Sequence, residues 1–174
     1  MRKNYNPFSI LIRYLILLGL MFSLPLIYKI LTPLTIYPTI FLLKLFYQVS
    51  YLNSMIILNS KTIIYIIPAC IAGSAYLLLL ILNLSLPMSL KKRIRTILFS
   101  LTLLLSLNIL RIFSLTILYD NSFRFFDITH KLFWYGLSTL FVILIWFYTV
   151  KKFNIKEIPI YTDIKYLSKK SKLF

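Results

Sequence analysis

Apolar runs about as long as a bilayer is thick recur along this chain and leave it few folds. Four of them are Phe8 to Ile30, Cys70 to Leu90, Thr96 to Tyr119 and Lys131 to Val150. Each is close to or above the roughly 20 residues that carry a helix across a hydrocarbon core of about 30 Å. The 174 residues are 60% hydrophobic and only 14% charged, a composition that cannot furnish an ordinary soluble surface. The expected fold class is an all-α membrane protein, a bundle of about four transmembrane helices with an interfacial helix and a short outer-face hairpin. No repeat and no linker divides the chain, so residues 1–174 are expected to form a single integral membrane domain. Its parts are a signal-anchor helix over 8–30, a functional core over 35–150 and a basic cytoplasmic tail over 151–174.

The net charge of +16 would point to nucleic acid in a soluble protein, where clustered cations neutralise phosphates. Here the charges fall between and after apolar runs. Lys91, Lys92, Arg93 and Arg95 are expected to fill one short loop, and Lys151 and Lys152 open the tail. Basic clusters beside spans are held on the cytoplasmic side and attracted to anionic headgroups, so no nucleic-acid partner is expected. One cysteine and one histidine exclude an internal disulfide and leave too few soft ligands for zinc. No metal and no cofactor is expected.

With the basic clusters inside, the spans can be oriented. The 8–30 run lacks a small-residue cleavage site and has an apolar stretch longer than a secretory core, so it reads as an uncleaved anchor with its N-terminus inside. Cys70 to Leu90 then descends to the Lys91–Arg95 cluster, Thr96 to Tyr119 returns, and Lys131 to Val150 descends to Lys151. This places Cys70, the loop after Tyr119 and His130 at the outer face of a multi-pass cell-membrane protein, with both termini cytoplasmic. Between the first and second of these runs, Thr35 to Tyr51 is expected to lie on the membrane as an interfacial helix, with Lys44, Gln48 and Tyr51 on its wet face. Met55 to Leu58 and Thr62 to Ile67 flank Asn59-Ser60-Lys61 and read as a surface hairpin.

Three residues carry the chemistry available to such a chain. Cys70 follows Pro68-Ala69 and is expected to open a helix, where backbone N–H groups and the helix dipole favour the thiolate; a lone membrane cysteine is otherwise a small buried hydrophobe. Arg111 interrupts an apolar span that contains no acidic residue. Charge at that depth costs about 2.5 kcal/mol or more and usually faces a polar cavity. Asn108 and Ser114, three residues to either side, are expected to extend its polar stripe. His130 precedes the last span, with Asp127 as helix N-cap and as a carboxylate able to orient the imidazole. Together these residue types suit acyl transfer: a thiolate attacks a carbonyl, an imidazole moves the proton and a guanidinium holds the oxyanion. Phe123, Phe125, Phe126, Phe133, Trp134 and Tyr135 read as an interfacial aromatic belt.

The string Ile66-Ile67-Pro68-Ala69-Cys70-Ile71-Ala72-Gly73-Ser74, then Asn108-Ile109-Leu110-Arg111-Ile112, then His130 before the final span, resembles the core of the exosortase and archaeosortase family. The compact form is similar to small archaeosortases of archaea with reduced genomes. The resemblance implies a membrane cysteine transpeptidase or protease. Its partners would be exported proteins ending in a short motif, a hydrophobic helix and a basic end, with a membrane lipid amine as acceptor of the new C-terminus. It also implies Cys70 as nucleophile, Arg111 as transition-state stabiliser and His130 as acid and base. One departure concerns Gly73, which stands three residues after the cysteine, where many relatives place Ser or Thr and then Gly directly after it. Two other classes remain open: a non-enzymatic assembly or scaffold protein, whose polar residues fix helix packing, and a small channel or transporter with Arg111 and Asn108 lining a pore.

Overall fold

A computed structural model describes residues 7–156, 161 and 163–165; most of the expected 151–174 tail therefore lies outside the described residues. The order of elements is α1 (Pro7–Met21), α2 (Leu24–Lys44), β1 (Val49–Leu52), β2 (Met55–Leu58), β3 (Thr62–Tyr65), α3 (Pro68–Ile71), α4 (Gly73–Ser85), α5 (Leu90–Asp120), α6 (Phe126–Leu132), a π-helical turn (Phe133–Leu137) and α7 (Ser138–Lys152). About 74% of the described residues are helical, and a small antiparallel sheet completes the fold. Among the described residues three helical stretches are long and apolar enough to cross a membrane: Leu24–Lys44, Leu90–Asp120 and Phe126–Lys152. This is a helical membrane protein.

The expected single anchor over 8–30 is corrected. The helix breaks at Phe22-Ser23, where both N–H groups close tight turns on Gly19 and Leu20. Pro25 then stands in the first turn of α2, a position that needs no N–H. The helix continues through Pro33 and Pro38 to Lys44. It survives them because its C-terminal half is packed: Ile36, Ile40 and Leu43 are buried against Ile56 and Leu58 of the sheet. The interfacial helix expected over Thr35 to Tyr51 is corrected in the same way, since its first part belongs to α2 and its last part is strand β1. Val49 and Tyr51 are strand formers, and pairing with β2 outweighs their place in a helical pattern.

The hairpin is present, with one more strand than expected. The sheet is a meander in the order β1-β2-β3, with Leu52 opposite Met55 and Leu58 opposite Thr62 at its turns. Asn53, Ser54, Asn59 and Ser60 all take positive φ. The same Asn-Ser pair thus makes both reversals, using the tolerance of short polar side chains for this region.

Cys70 to Leu90 is not one helix. Ala72, at φ 59°, separates a single turn, α3, from the 13-residue α4. The basic cluster also lies differently from expectation: Lys91 to Arg95 form the first turns of the 31-residue α5 and not a loop. Likewise the last helical stretch begins at Phe126 and reaches Lys152 through the π turn, so His130 lies within it and not before it. Asp127 is the second helical residue, and the cap position belongs to Phe125.

The two ends of the bundle differ. At one end the sheet is tied to α5 by the Thr62 hydroxyl donating to Asp120 at 2.6 Å. At the other, Lys92 donates to the Asn154 carbonyl and Arg93 to that of Leu86. There too, Arg13 of α1 pairs with buried Asp163, which also accepts from Tyr14. The cations of Lys91–Arg95 and Lys151–Lys152 thus gather at the end opposite Cys70.

Candidate active site

A cavity of about 550 Å³ opens between the edge of β3, the α3–α4 break, α5 and α6. Cys70, Arg111 and His130 all line it, although they lie 60 residues apart in sequence at the extremes (130 − 70). Tyr28 of α2 and Ser138 of α7 complete its deeper wall.

Cys70 occupies the one-turn helix α3, and its own N–H is already bonded to the Ile67 carbonyl at 2.9 Å. The expectation that a long helix opens at the cysteine is therefore corrected: the long helix begins three residues later, and a single turn carries little of the macrodipole. What holds the cysteine is its carbonyl. Arg111 Nη2 donates to it at 2.9 Å and Asn108 Nδ2 at 3.1 Å, while Asn108 also reaches the Ile71 carbonyl at 3.2 Å. The chain reversal at Ala72 leaves these carbonyls outside a regular ladder, and α5 supplies their donors. A buried carbonyl without a partner would cost about 1–3 kcal/mol.

Arg111 is anchored on both sides of its fork. Nη1 donates to Ser138 Oγ at 2.8 Å, and Ser138 Oγ in turn donates to the Phe133 carbonyl at 2.7 Å. A π turn widens the ring to i→i+5 and displaces one carbonyl from the α pattern. Here the displaced carbonyl is bonded by the serine that orients the arginine. Guanidinium has five N–H donors, and these two bonds use two of them. Its Nε is buried without a hydrogen-bond partner among the described residues. Among the described residues no carboxylate lines the cavity, and the fixed charge they give it is positive.

His130 presents its ring to the cavity and lies parallel to the ring of Phe126, with centroids 5.6 Å apart and planes 7° from parallel. Asp127, expected to orient it, is solvent-exposed and is not part of the cavity wall. Ser114 is exposed as well and lies outside the wall; the polar stripe expected through it is corrected. The buried face of α5 runs instead through Thr96, Ser100, Leu104, Asn108, Ile112 and Thr116. That is a strict four-residue repeat, which follows one ridge of the helix; the step back from Arg111 to Asn108 lands on it, and the step forward to Ser114 turns away from it.

Gly73 has a physical reason that its spacing from Cys70 did not suggest. A Cβ there would lie 2.6 Å from Tyr28 Cε1 and 2.7 Å from Cζ, so only glycine lets that ring pack against the start of α4. Sequence reasoning missed Tyr28, Ser138, Phe126 and Phe133 as parts of the site. The last two were assigned to an interfacial belt, yet they line the cavity. Of these, only Ser138, which with its neighbour Thr139 interrupts a long apolar run, left a signal that could have been followed.

Among the described residues no cluster of histidine, cysteine or carboxylates suited to a metal ion is present. No family model, curated protein or solved structure matches the chain.

Proposed function

We propose that the protein is a membrane cysteine transpeptidase or protease, similar to the archaeosortases, acting at the outer face of a four-crossing bundle on the C-terminal sorting signal of exported proteins. The observation that carries this reading is the convergence of the only cysteine, the only histidine and an intramembrane arginine on one cavity. Cys70 Sγ, as thiolate, attacks the scissile carbonyl. The negative charge that develops on its oxygen is stabilised by donors of Arg111 left over from its two anchoring bonds. Collapse of the tetrahedral adduct breaks the C–N bond, and His130 gives the leaving amine its proton. The thioester that remains is then attacked by a lipid amine or by water, His130 accepts the nucleophile's proton, and the thiolate is released.

One observation favours a second reading. Arg111 and Asn108 direct their described bonds to backbone carbonyls and to Ser138, as residues that only fix helix packing would do in a scaffold protein. The two readings separate in one experiment. The protein is co-expressed with an exported protein of the same genome that ends in a short motif, a hydrophobic helix, basic residues and a distal tag. Under the enzymatic reading Cys70→Ala abolishes tag loss at unchanged abundance of the membrane-inserted protein. Tag loss equal to wild type in Cys70→Ala, with Arg111→Leu lowering abundance, would leave only the scaffold.

A further inference from the structure

The antiparallel sheet has a free edge along β3, and this edge is the side of the sheet that meets the cavity. Ile63, Ile64, Tyr65 and Ile66 all line it. Successive strand residues point to opposite faces, so a cavity lined by four in a row abuts the edge and not a face. The inner edge of β3 is occupied. Ile66 N–H donates to the Ser54 carbonyl at 2.9 Å, and Ile64 and Thr62 stand opposite Ile56 and Leu58. Hydrogen-bonded and non-bonded pairs alternate in an antiparallel ladder. The backbone groups of Thr62, Ile64 and Ile66 therefore face β2, and those of Ile63 and Tyr65 face outward. No described strand pairs with them. The next outward carbonyl, that of Ile67, receives the Cys70 N–H, so the edge runs directly into the turn that carries the thiol.

Exposed edges invite stray pairing, and proteins usually blunt them with charge, proline or a bulge. Ile63-Ile64-Tyr65 has none of these. On the reading of Cys70 as nucleophile, we infer that the substrate is held as an extended strand added to the free edge of β3, its backbone bonded to Ile63 and Tyr65 so that the scissile carbonyl reaches Cys70. Strand addition reads the main chain, whose N–H and C=O groups recur every two residues, about 6.8 Å apart. The occupant is thus an unfolded segment ahead of the cleavage point, with no proline at the alternate residues that bond to β3. The cavity suits it in charge as well, since among the described residues no carboxylate in the wall competes with a substrate carbonyl for Arg111.

The test reads binding and not cleavage. The full-length protein in nanodiscs is mixed with acetylated peptides of about ten residues and randomised sequence, each with one central cysteine held as a mixed disulfide with 2-thiopyridine. Cys70 thiolate attacks that disulfide, joins the peptide and releases pyridine-2-thione, which is followed by absorbance. Every rate is divided by that for a small thiopyridyl disulfide. Backbone N-methylation of the peptides at residues an even number of places from the cysteine is compared with methylation at odd places. One parity is expected to lower the relative rate about tenfold and the other by less than about twofold, because a strand pairs through alternate residues. Ile63→Pro and Tyr65→Pro remove only outward N–H groups and are expected to lower it about fivefold below Ile63→Ala and Tyr65→Ala. Equal effects of the two parities, with proline and alanine variants alike, would overturn strand addition and leave the thiol enzyme standing. Tag loss that persists in Cys70→Ala would remove the thiol enzyme itself.

Discussion

Replacing Gly73 by alanine would drive a methyl group into the ring of Tyr28, 2.6 Å away. Because Tyr28 lines the cavity beside Cys70, the ring must move and take part of the site with it. The expected outcome for Gly73→Ala is a fall in thiol-dependent processing of about tenfold. A loss of stability of about 1–3 kcal/mol is expected alongside it, as for overpacking elsewhere. Comparing tag loss with thermal unfolding in detergent checks both, and Gly73→Ala combined with Tyr28→Leu should recover stability. At this scale the sequence was partly legible. Cys70, Arg111 and His130 stand out because each is chemically out of place where it lies. Ser114 was drawn in by proximity in the chain, and Tyr28, a tyrosine among many, was not distinguishable from packing.

Helix α7 begins where the π turn ends, and Ser138 joins them. Its hydroxyl donates to the Phe133 carbonyl and accepts from Arg111, so one oxygen bonds the carbonyl of the widened turn and fixes the angle of the guanidinium. Ser138→Ala is expected to destabilise the protein by about 1–2 kcal/mol, seen as a lower unfolding temperature in detergent. It should also lower processing more than stability, because Arg111 keeps its bond to the Cys70 carbonyl but loses the one that aims its other arm. Ser138→Thr, which keeps the hydroxyl, should restore most of both. Apolar periodicity cannot announce a π turn: the run Phe133–Leu137 is as hydrophobic as its neighbours, and the extra residue per turn is set by what the turn packs against. The same holds for the break at Ala72, a residue with no intrinsic preference for positive φ, held there because α5 bonds the carbonyls it exposes.

Across the whole molecule, the basic residues of α5 and α7 lie at the end of the bundle opposite Cys70 and the sheet. A membrane-impermeant thiol reagent is therefore expected to label Cys70 from one side of sealed vesicles only. In a Cys70→Ala background, a cysteine replacing Lys152 should be labelled from the other side only. Labelling of both positions from the same side would contradict the bundle's polarity. The buried pair of Arg13 and Asp163 joins the middle of α1 to the segment after α7. It neutralises a cation that, unpaired within the apolar layer, would cost several kcal/mol.

The sequence by itself determined that this is a membrane protein, that its cations gather beside its apolar runs, and that Cys70, Arg111 and His130 are the residues to examine. These follow from composition, run length and the energetic cost of charge in an apolar segment, all of which are local quantities. Only the tertiary structure decided that the three line one cavity and that α2 absorbs the segment expected to lie on the membrane. It also turned the expected hairpin into a three-stranded sheet with an open edge at the site. Such features depend on contacts between residues distant in the chain: β1 pairing with β2, α5 donating to carbonyls freed at Ala72, and Tyr28 resting on Gly73. None of these has a periodicity that a linear pattern could carry.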